Sequence, residues 1–255
     1  MTILQKLYRK SSRAEDVNVV GLYLDDKWNY QKEEIELPQF NLLSDHAVVI
    51  GNGITSNEFD LTQILPYREI TSWGEAGPWI YKRQIRNFYT YGCNAIYRNY
   101  KPDFVIANGD GIVKEIVENT QDKSPVIYSN SKNLQKYPGK FVFTPQNPEF
   151  NAGATAAYMA AFDGHKKVYM LGFDGIDSPN NNYNIYAGTP NYPAADVTIN
   201  EESWVRNLST VMSVYSDTEF IRVMPTPDFR QPEAWRYFLN YRQINFRKFV
   251  LEAGV

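Results

Sequence analysis

Asn147-Pro148-Glu149-Phe150-Asn151-Ala152-Gly153-Ala154-Thr155-Ala156-Ala157-Tyr158-Met159-Ala160-Ala161-Phe162 is followed by Asp163-Gly164-His165-Lys166-Lys167 and then by Val168-Tyr169-Met170-Leu171-Gly172-Phe173-Asp174-Gly175. The stretch reads as a turn, a helix and a strand in succession. Asn151 is a natural N-cap, because its short side chain can accept from a backbone N–H of the first turn. Gly153 leaves that turn without a side chain, so a ligand can approach its N–H groups closely. Ala152, Gly153, Ala154, Ala156, Ala157 and Ala160 are small enough to let the helix lie close on a sheet. Gly164 ends the helix, and Lys166 and Lys167 follow near the negative end of its dipole. Val168 to Phe173 has the length and composition of a buried strand. Asp174 then stands at the strand's carboxyl end, where open α/β sheets keep their ligand sites.

Working outward, apolar runs recur at α/β spacing. His46 to Ile50 feeds straight into Gly51-Asn52-Gly53, and Tyr89 to Asn94 forms a strand after a helix over Trp79 to Phe88. Asp103 to Ala107 is a strand ending at Asn108-Gly109-Asp110-Gly111. Ile112, Val113, Ile116 and Val117 then share one helical face. Val126 to Tyr128 and Phe141 to Phe143 are short strands. Glu201 to Tyr215 is an amphipathic helix with Trp204, Val205, Leu208, Val211 and Met212 inward, and Phe220 to Met224 is a last strand. A long helix is expected over 232–252, with Trp235, Phe238, Leu239, Phe246, Phe249 and Val250 on one side. The pattern predicts an α/β, Rossmann-like, mostly parallel sheet with helices on both faces. Residues 1–40 read as an N-terminal arm or extra strand, with a short helix or loose arm over 1–16. Residues 41–255 read as a single domain. Its one long irregular segment, 175–198, carries Tyr183, Tyr186 and Tyr192, and is read as a lid.

Composition excludes several classes. Lys plus Arg number 26 against 29 Asp plus Glu, a net charge of −3, which is no global signature of a nucleic-acid binder. A single cysteine, Cys93, rules out an internal disulfide and fits a reducing, cytoplasmic setting. No run approaches the roughly 20 apolar residues of a membrane-spanning helix. One Cys and two His make zinc a poor expectation, and His46 and His165 give little support to Ser-His-Asp or Cys-His catalysis.

Four sets of residues carry chemistry. Gly51-Asn52-Gly53-Ile54-Thr55-Ser56 is a glycine turn after a strand, able to offer backbone N–H groups to a phosphate. It lacks both the third glycine of a dinucleotide fingerprint and the Lys of a P-loop. Asn52, Asn94, Asn108 and Asn151 fall at strand carboxyl ends or a helix start, and each amide offers a donor and an acceptor to a base or ribose. Asp110, Asp174, Asp177, Asp196 and Glu201 are candidate bases or metal ligands, with Asp174 favoured by position. Two basic-aromatic segments, Trp79–Lys101 and Arg230–Lys248, could grip a phosphate backbone. Amphipathic helices with solvated arginines are the plainer account of both.

Taken together, a strand ending in Gly-Asn-Gly-x-x-Ser, a strand ending in Cys-Asn, and Asn-x-Gly opening a helix before a strand ending Gly-x-Asp resemble the bacterial sialyltransferases of glycosyltransferase family 42. The chain is similar too to the related uncharacterised family that includes the archaeal 6-hydroxymethylpterin pyrophosphokinases. The resemblance covers about residues 46–190. It implies a catalytic domain that binds a CMP- or UDP-type nucleotide-sugar donor without a required metal and moves the sugar to an acceptor hydroxyl. Gly51, Asn52, Gly53, Asn94, Asn151 and Gly153 would contact the nucleotide, with Ser56 and Asp110 in the same donor-binding set. Asn108 would face the sugar or phosphate, and Tyr183 and Tyr186 would stand in for the metal ion. The family's histidine after the lid has no counterpart here, so the base would be Asp174, Asp177 or Asp196. The acceptor would be a glycan or a hydroxylated DNA base. An Mg²⁺-dependent pyrophosphokinase and a non-catalytic nucleotide- or DNA-binding protein are the alternatives. A homo-oligomer through the aromatic C-terminal helix is also open.

Overall fold

The computed structural model describes residues 2–6, 20–24, 30–34, 44–68, 70–72, 75–82, 87–119, 126–174, 184–193, 201–226 and 228–255. Asp177, Tyr183 and Asp196 lie outside this set. Three N-terminal strands, β1 (Thr2–Lys6), β2 (Val20–Leu24) and β3 (Tyr30–Glu34), pair antiparallel in a sheet of their own. A strand therefore stands where a short helix or loose arm was expected over 1–16.

Apolar runs without alternation must be covered on both faces, and an all-parallel sheet supplies that burial. β4 (His46–Ile50) opens the main sheet, and a small antiparallel hairpin, β5 (Ile70–Ser72) and β6 (Glu75–Ala76), follows it in the chain. The remaining strands are β7 (Phe88–Cys93), β8 (Phe104–Ile106), β9 (Val126–Ser129), β10 (Val142–Phe143), β11 (Lys167–Leu171), β12 (Glu219–Met224) and β13 (Tyr241–Asn245). The main sheet has eight strands in the order β10-β9-β8-β7-β4-β11-β12-β13, and every neighbouring pair is parallel. The chain thus builds outward from β4 to one edge, then returns and builds to the other. The fold is α/β and Rossmann-like, with its topological switch between β4 and β11.

Helices α1 (Asp110–Asn119), α2 (Ser131–Lys136), α3 (Ala152–Phe162), α4 (Glu201–Val214) and α5 (Phe246–Ala253) cover the two faces. Val48, Ile50, Tyr169 and Leu171 pack with Ile112, Val113 and Phe249 on one side. Ala47, Val49, Val168 and Met170 pack with α3 and with Leu208, Val211 and Met212 of α4 on the other. α3 makes the return crossing from β10 to β11, and it is buried all round: every residue but Gly153 is below the surface. Its alanines follow from that position, since a helix wedged between a sheet and another helix has no room for large side chains on most of its faces. Asn151 caps it as expected, accepting from Ala154 N–H at 3.0 Å.

Two expected helices are corrected. Residues 232–252 hold a short 3-10 turn (Glu233–Tyr237), the edge strand β13 and only then α5. Trp235 is fully buried while Leu239 is fully exposed, so no single helical face joins them. Asn240 breaks the run: its Nδ2 lies within hydrogen-bond reach of Met212 O, Tyr215 O and Thr218 O at the end of α4, and Asn245 caps α5 through Lys248 N–H at 2.9 Å. Before β7, Tyr67 and Ile80 form an antiparallel bridge where a helix over Trp79 to Phe88 was expected, and Phe88 already belongs to the strand. Pro78 and Gly77 favour that turn and bridge over a helical start.

Candidate functional site

The switch point brings the exits of β4 and β11 into contact. Gly51 N–H donates to Leu171 O at 2.8 Å and Gly53 N–H to Gly172 O at 3.0 Å. A Cβ on Gly53 would stand 2.4 Å from Gly172 O and 2.6 Å from Asp174 Oδ2, and Gly172 itself has φ +67. These glycines are bare because two backbones cross there, with no ligand needed to explain them. Ser56 is likewise engaged internally, its hydroxyl donating to Gly53 O at 2.7 Å. Gly153 faces the Phe173 ring, whose Cε1 would lie 3.3 Å from an added Cβ.

Asp174 is 3% exposed. It accepts from Thr55 N–H at 2.9 Å and, through its other oxygen, from the Thr55 hydroxyl. Burial pushes its pKa up, and the two Thr55 bonds pull against that shift. The fully buried Arg222 grips the same exit from behind, donating to Phe173 O at 2.7 Å and to Asp174 O at 2.5 Å. Asp174 thus ties the glycine turn to the end of β11, and its carboxylate is engaged on both oxygens. A general base needs an oxygen within reach of an acceptor hydroxyl; Asp174 is buried with one Thr55 bond on each oxygen, an arrangement that serves the turn.

The strand-end asparagines tell a different story. Asn52, Asn94 and Asn108 follow β4, β7 and β8, which are consecutive in the sheet. Each has a buried side-chain oxygen with no hydrogen-bond partner among the described residues. Asn94 holds φ 49, a left-handed conformation that asparagine tolerates better than most residues. Next in line, beyond β9, stands Asn133 of α2, only 1% exposed and with the same unpartnered oxygen. Its Nδ2 donates to Asn108 O at 3.2 Å and to Ser129 Oγ at 2.9 Å, joining it to the row. Sequence reasoning missed Asn133, because α2 is too short for a periodic signal; the Asn130–Asn133 capping pair was the available clue.

The remaining candidates fall around this row. Asn151 is spent on the cap of α3. Asp110 opens α1 at the carboxyl edge, exposed and paired with Lys132 at 2.9 Å, which draws its pKa down. Both histidines lie at the opposite, amino edge. His46 begins β4, while His165 is buried 3.0 Å from Ser44 O and 3.1 Å from the Tyr91 hydroxyl, which donates to Asp163 at 2.5 Å.

Residues 184–193 lie over the opposite face from α3. Ile185 N–H donates to Asn52 O at 2.9 Å, and Tyr186 is buried in the core that holds Val48, Ile112 and Phe249, its hydroxyl without a partner among the described residues. Its ring lies near Tyr192 and under the Arg98 guanidinium, whose carbon is 5.5 Å from the ring centre. Burial raises the Tyr186 pKa well above the ordinary phenol range. Arg98, expected as a solvated residue of an amphipathic helix, is instead 9% exposed and forms part of a 3-10 turn (Asn94–Arg98).

The described residues contain no cluster of three or more His, Cys, Asp or Glu that could hold a metal ion, and no helix long and apolar enough to cross a membrane. The candidate site is a row of amide side chains at the carboxyl ends of a fully parallel α/β sheet, with the buried Asp174 at the exit of β11. No protein-family model and no curated protein sequence matches the chain. Among solved structures it is similar to the monofunctional alpha-2,3-sialyltransferase Cst-I from Campylobacter jejuni, with a TM-score of 0.42 and 13% identity over 74% of this chain and 78% of that one.

Proposed function

We propose that this amide row binds a nucleotide-sugar donor and that the chain transfers the sugar to an acceptor hydroxyl. The observation that supports this reading is the row of unpartnered amide oxygens on Asn52, Asn94, Asn108 and Asn133. A buried carbonyl left without a donor costs about 1–3 kcal/mol, so several in one line mark a place that a ligand rich in O–H and N–H groups would complete. The row runs from the end of β4 past β7 and β8 to β9, three strand spacings or roughly 14 Å. That length suits a nucleoside joined to a sugar and exceeds a small alcohol. The motif resemblance to family 42 sialyltransferases adds the reaction class. Asn52 and Asn94 would read the nucleoside, while Asn108 and Asn133 would face the sugar or phosphate.

On this reading Asp174 holds the glycine turn in place, and the proton from the acceptor goes to Asp177 or Asp196. The donor's departing phosphate would be met by Tyr183, and the acceptor, glycan or DNA base, is left to experiment. A thermal-shift series with CMP-, UDP- and GDP-sugars and with ATP, each with and without Mg²⁺, tests the reading. A ligand at 100 times its dissociation constant stabilises by roughly 2.7 kcal/mol, which is about 5–11 °C for a chain of this size. Stabilisation by a sugar nucleotide in excess EDTA, lost in Asn52→Ala, is the expected result. A response to ATP with Mg²⁺ alone would replace glycosyl transfer with pyrophosphate transfer.

A further inference from the structure

The segment 184–193 is fastened by an unusually well-satisfied ion pair. Arg98 Nε and Nη2 donate to the two carboxylate oxygens of Glu115 at 2.7 and 2.6 Å. The same guanidinium donates to Thr189 Oγ1 at 2.7 Å and to Pro190 O at 2.8 Å. Glu115 in turn accepts from the Tyr97 hydroxyl and from Asn191 Nδ2, both at 2.7 Å. With side chains 10% and 15% exposed, the pair is largely withdrawn from water, where such a two-pronged contact is stronger than a surface pair. Gly111 of α1 completes the fit, because a Cβ there would stand 2.4 Å from Asn191 Oδ1.

We infer that Arg98 and Glu115 are positioning residues that latch the 184–193 strap and, through Ile185 N–H on Asn52 O, set the place of Asn52 at the donor site. The ligand class at that site rests on the function proposed above; the latch itself does not. The strap's own turns, Gly188 N–H on Tyr192 O and Tyr192 N–H on Thr189 O, are local bonds that would not hold it against the sheet. Among the described residues, the connection to the body of the molecule runs through the Arg98 guanidinium, the Glu115 carboxylate, the Tyr186 and Tyr192 rings packed on the core, and the backbone bond from Ile185 to Asn52. Lysine at 98 would keep the charge and lose the fork.

Amide hydrogen exchange on the ligand-free protein reads the latch directly. Arg98→Lys and Glu115→Gln should each speed exchange at Ile185, Gly188, Thr189 and Tyr192 at least tenfold, with Val48, Ile106 and Met170 in the sheet unchanged. Gly111→Ala, which improves the helix while displacing Asn191, should do the same without touching a charge. Exchange in the strap at the wild-type rate in all three variants would overturn the latch. A tenfold weaker CMP- or UDP-sugar in the same variants is the expected sign that the strap positions Asn52. Unweakened binding with a loosened strap would overturn that step. If the wild type takes no nucleotide, the donor-site reading fails by itself and the exchange result still decides the latch.

Discussion

Asn52, Asn108 and Asn133 carry an unusual signature for polar residues in a folded protein: each contributes an unpaired buried oxygen. Truncating a buried group that lacks a partner removes a penalty and no bond. Asn52→Ala and Asn108→Ala should therefore leave the unfolding free energy unchanged or slightly higher, while weakening the sugar nucleotide by tenfold or more. Urea unfolding beside ligand titration separates the two effects; a loss of more than about 1 kcal/mol in stability would mean that the oxygens are paired after all. Asp174 behaves oppositely. Its folded pKa is raised, chiefly by burial, so its contribution to stability is present below the ordinary aspartate value of about 3.9 and is lost as pH rises through the folded value. The stability of the wild type should fall relative to Asp174→Asn across that rise. Equal slopes in the two pH profiles would remove the shift.

At the scale of elements, the central strands and the crossing helix were legible because each obeys one simple rule. β4, β8 and β11 are short apolar runs without alternation, as strands buried on both faces must be, and α3 is rich in alanine because it is enclosed on nearly every side. The C-terminal segment was not legible, since Trp235, Phe238, Leu239 and Phe246 repeat at helical intervals by coincidence across a turn, a strand and a helix. What overrides that spacing is Asn240, a tertiary tie to α4 that no local pattern encodes. Asn240→Ala should expose its cost: roughly 1–3 kcal/mol of stability lost by chemical unfolding, against about 1 kcal/mol for the Asn245 cap. Arg98 was misread for the same reason. Charged residues on aromatic segments are usually solvated, and it takes Glu115 of α1 together with the strap from 91 positions downstream to make this one structural. Glu115 gives the pair its pH limit. Burial alone would raise its pKa, but the bonds from Arg98 and Tyr97 outweigh this and the net shift is downward. The latch is therefore fully formed above the ordinary glutamate value of about 4.3, and strap protection should be lost as pH falls through the lower folded value.

For the molecule as a whole, one side chain gathers the β11–β13 half of the carboxyl edge. Arg222 leaves β12 to hold Phe173 O and Asp174 O, and also donates to Arg230 O at 2.7 Å and Gln243 Oε1 at 3.1 Å. It thereby joins the end of β11, the loop after β12 and the edge strand β13. Arg222→Lys keeps the charge and abandons several of these acceptors in a buried place, so a loss of roughly 2–4 kcal/mol is expected. A melting point lowered by less than about 4 °C would show that the neighbourhood repacks without it. The α/β architecture could be read from the order of apolar runs, whereas the place of the switch between β4 and β11 and the use of the glycines could not. A Gly-Asn-Gly turn looks the same whether it makes room for a phosphate or for another backbone.

The return crossing through α3 has a consequence in time as well as in space. β4 gains its second neighbour only when β11 arrives, with Ile50 beside Leu171, more than a hundred residues later in the chain. During synthesis from the N-terminus, the inner flank of β4 waits unpaired, and an alanine-rich helix with no polar face emerges before the strand that completes its cover. Such long-range parallel pairing makes for slow folding and an interval of exposed apolar surface. Refolding should show strands β7 to β9 protected from exchange before β11 and β12, and yield should fall with protein concentration until the crossing is made.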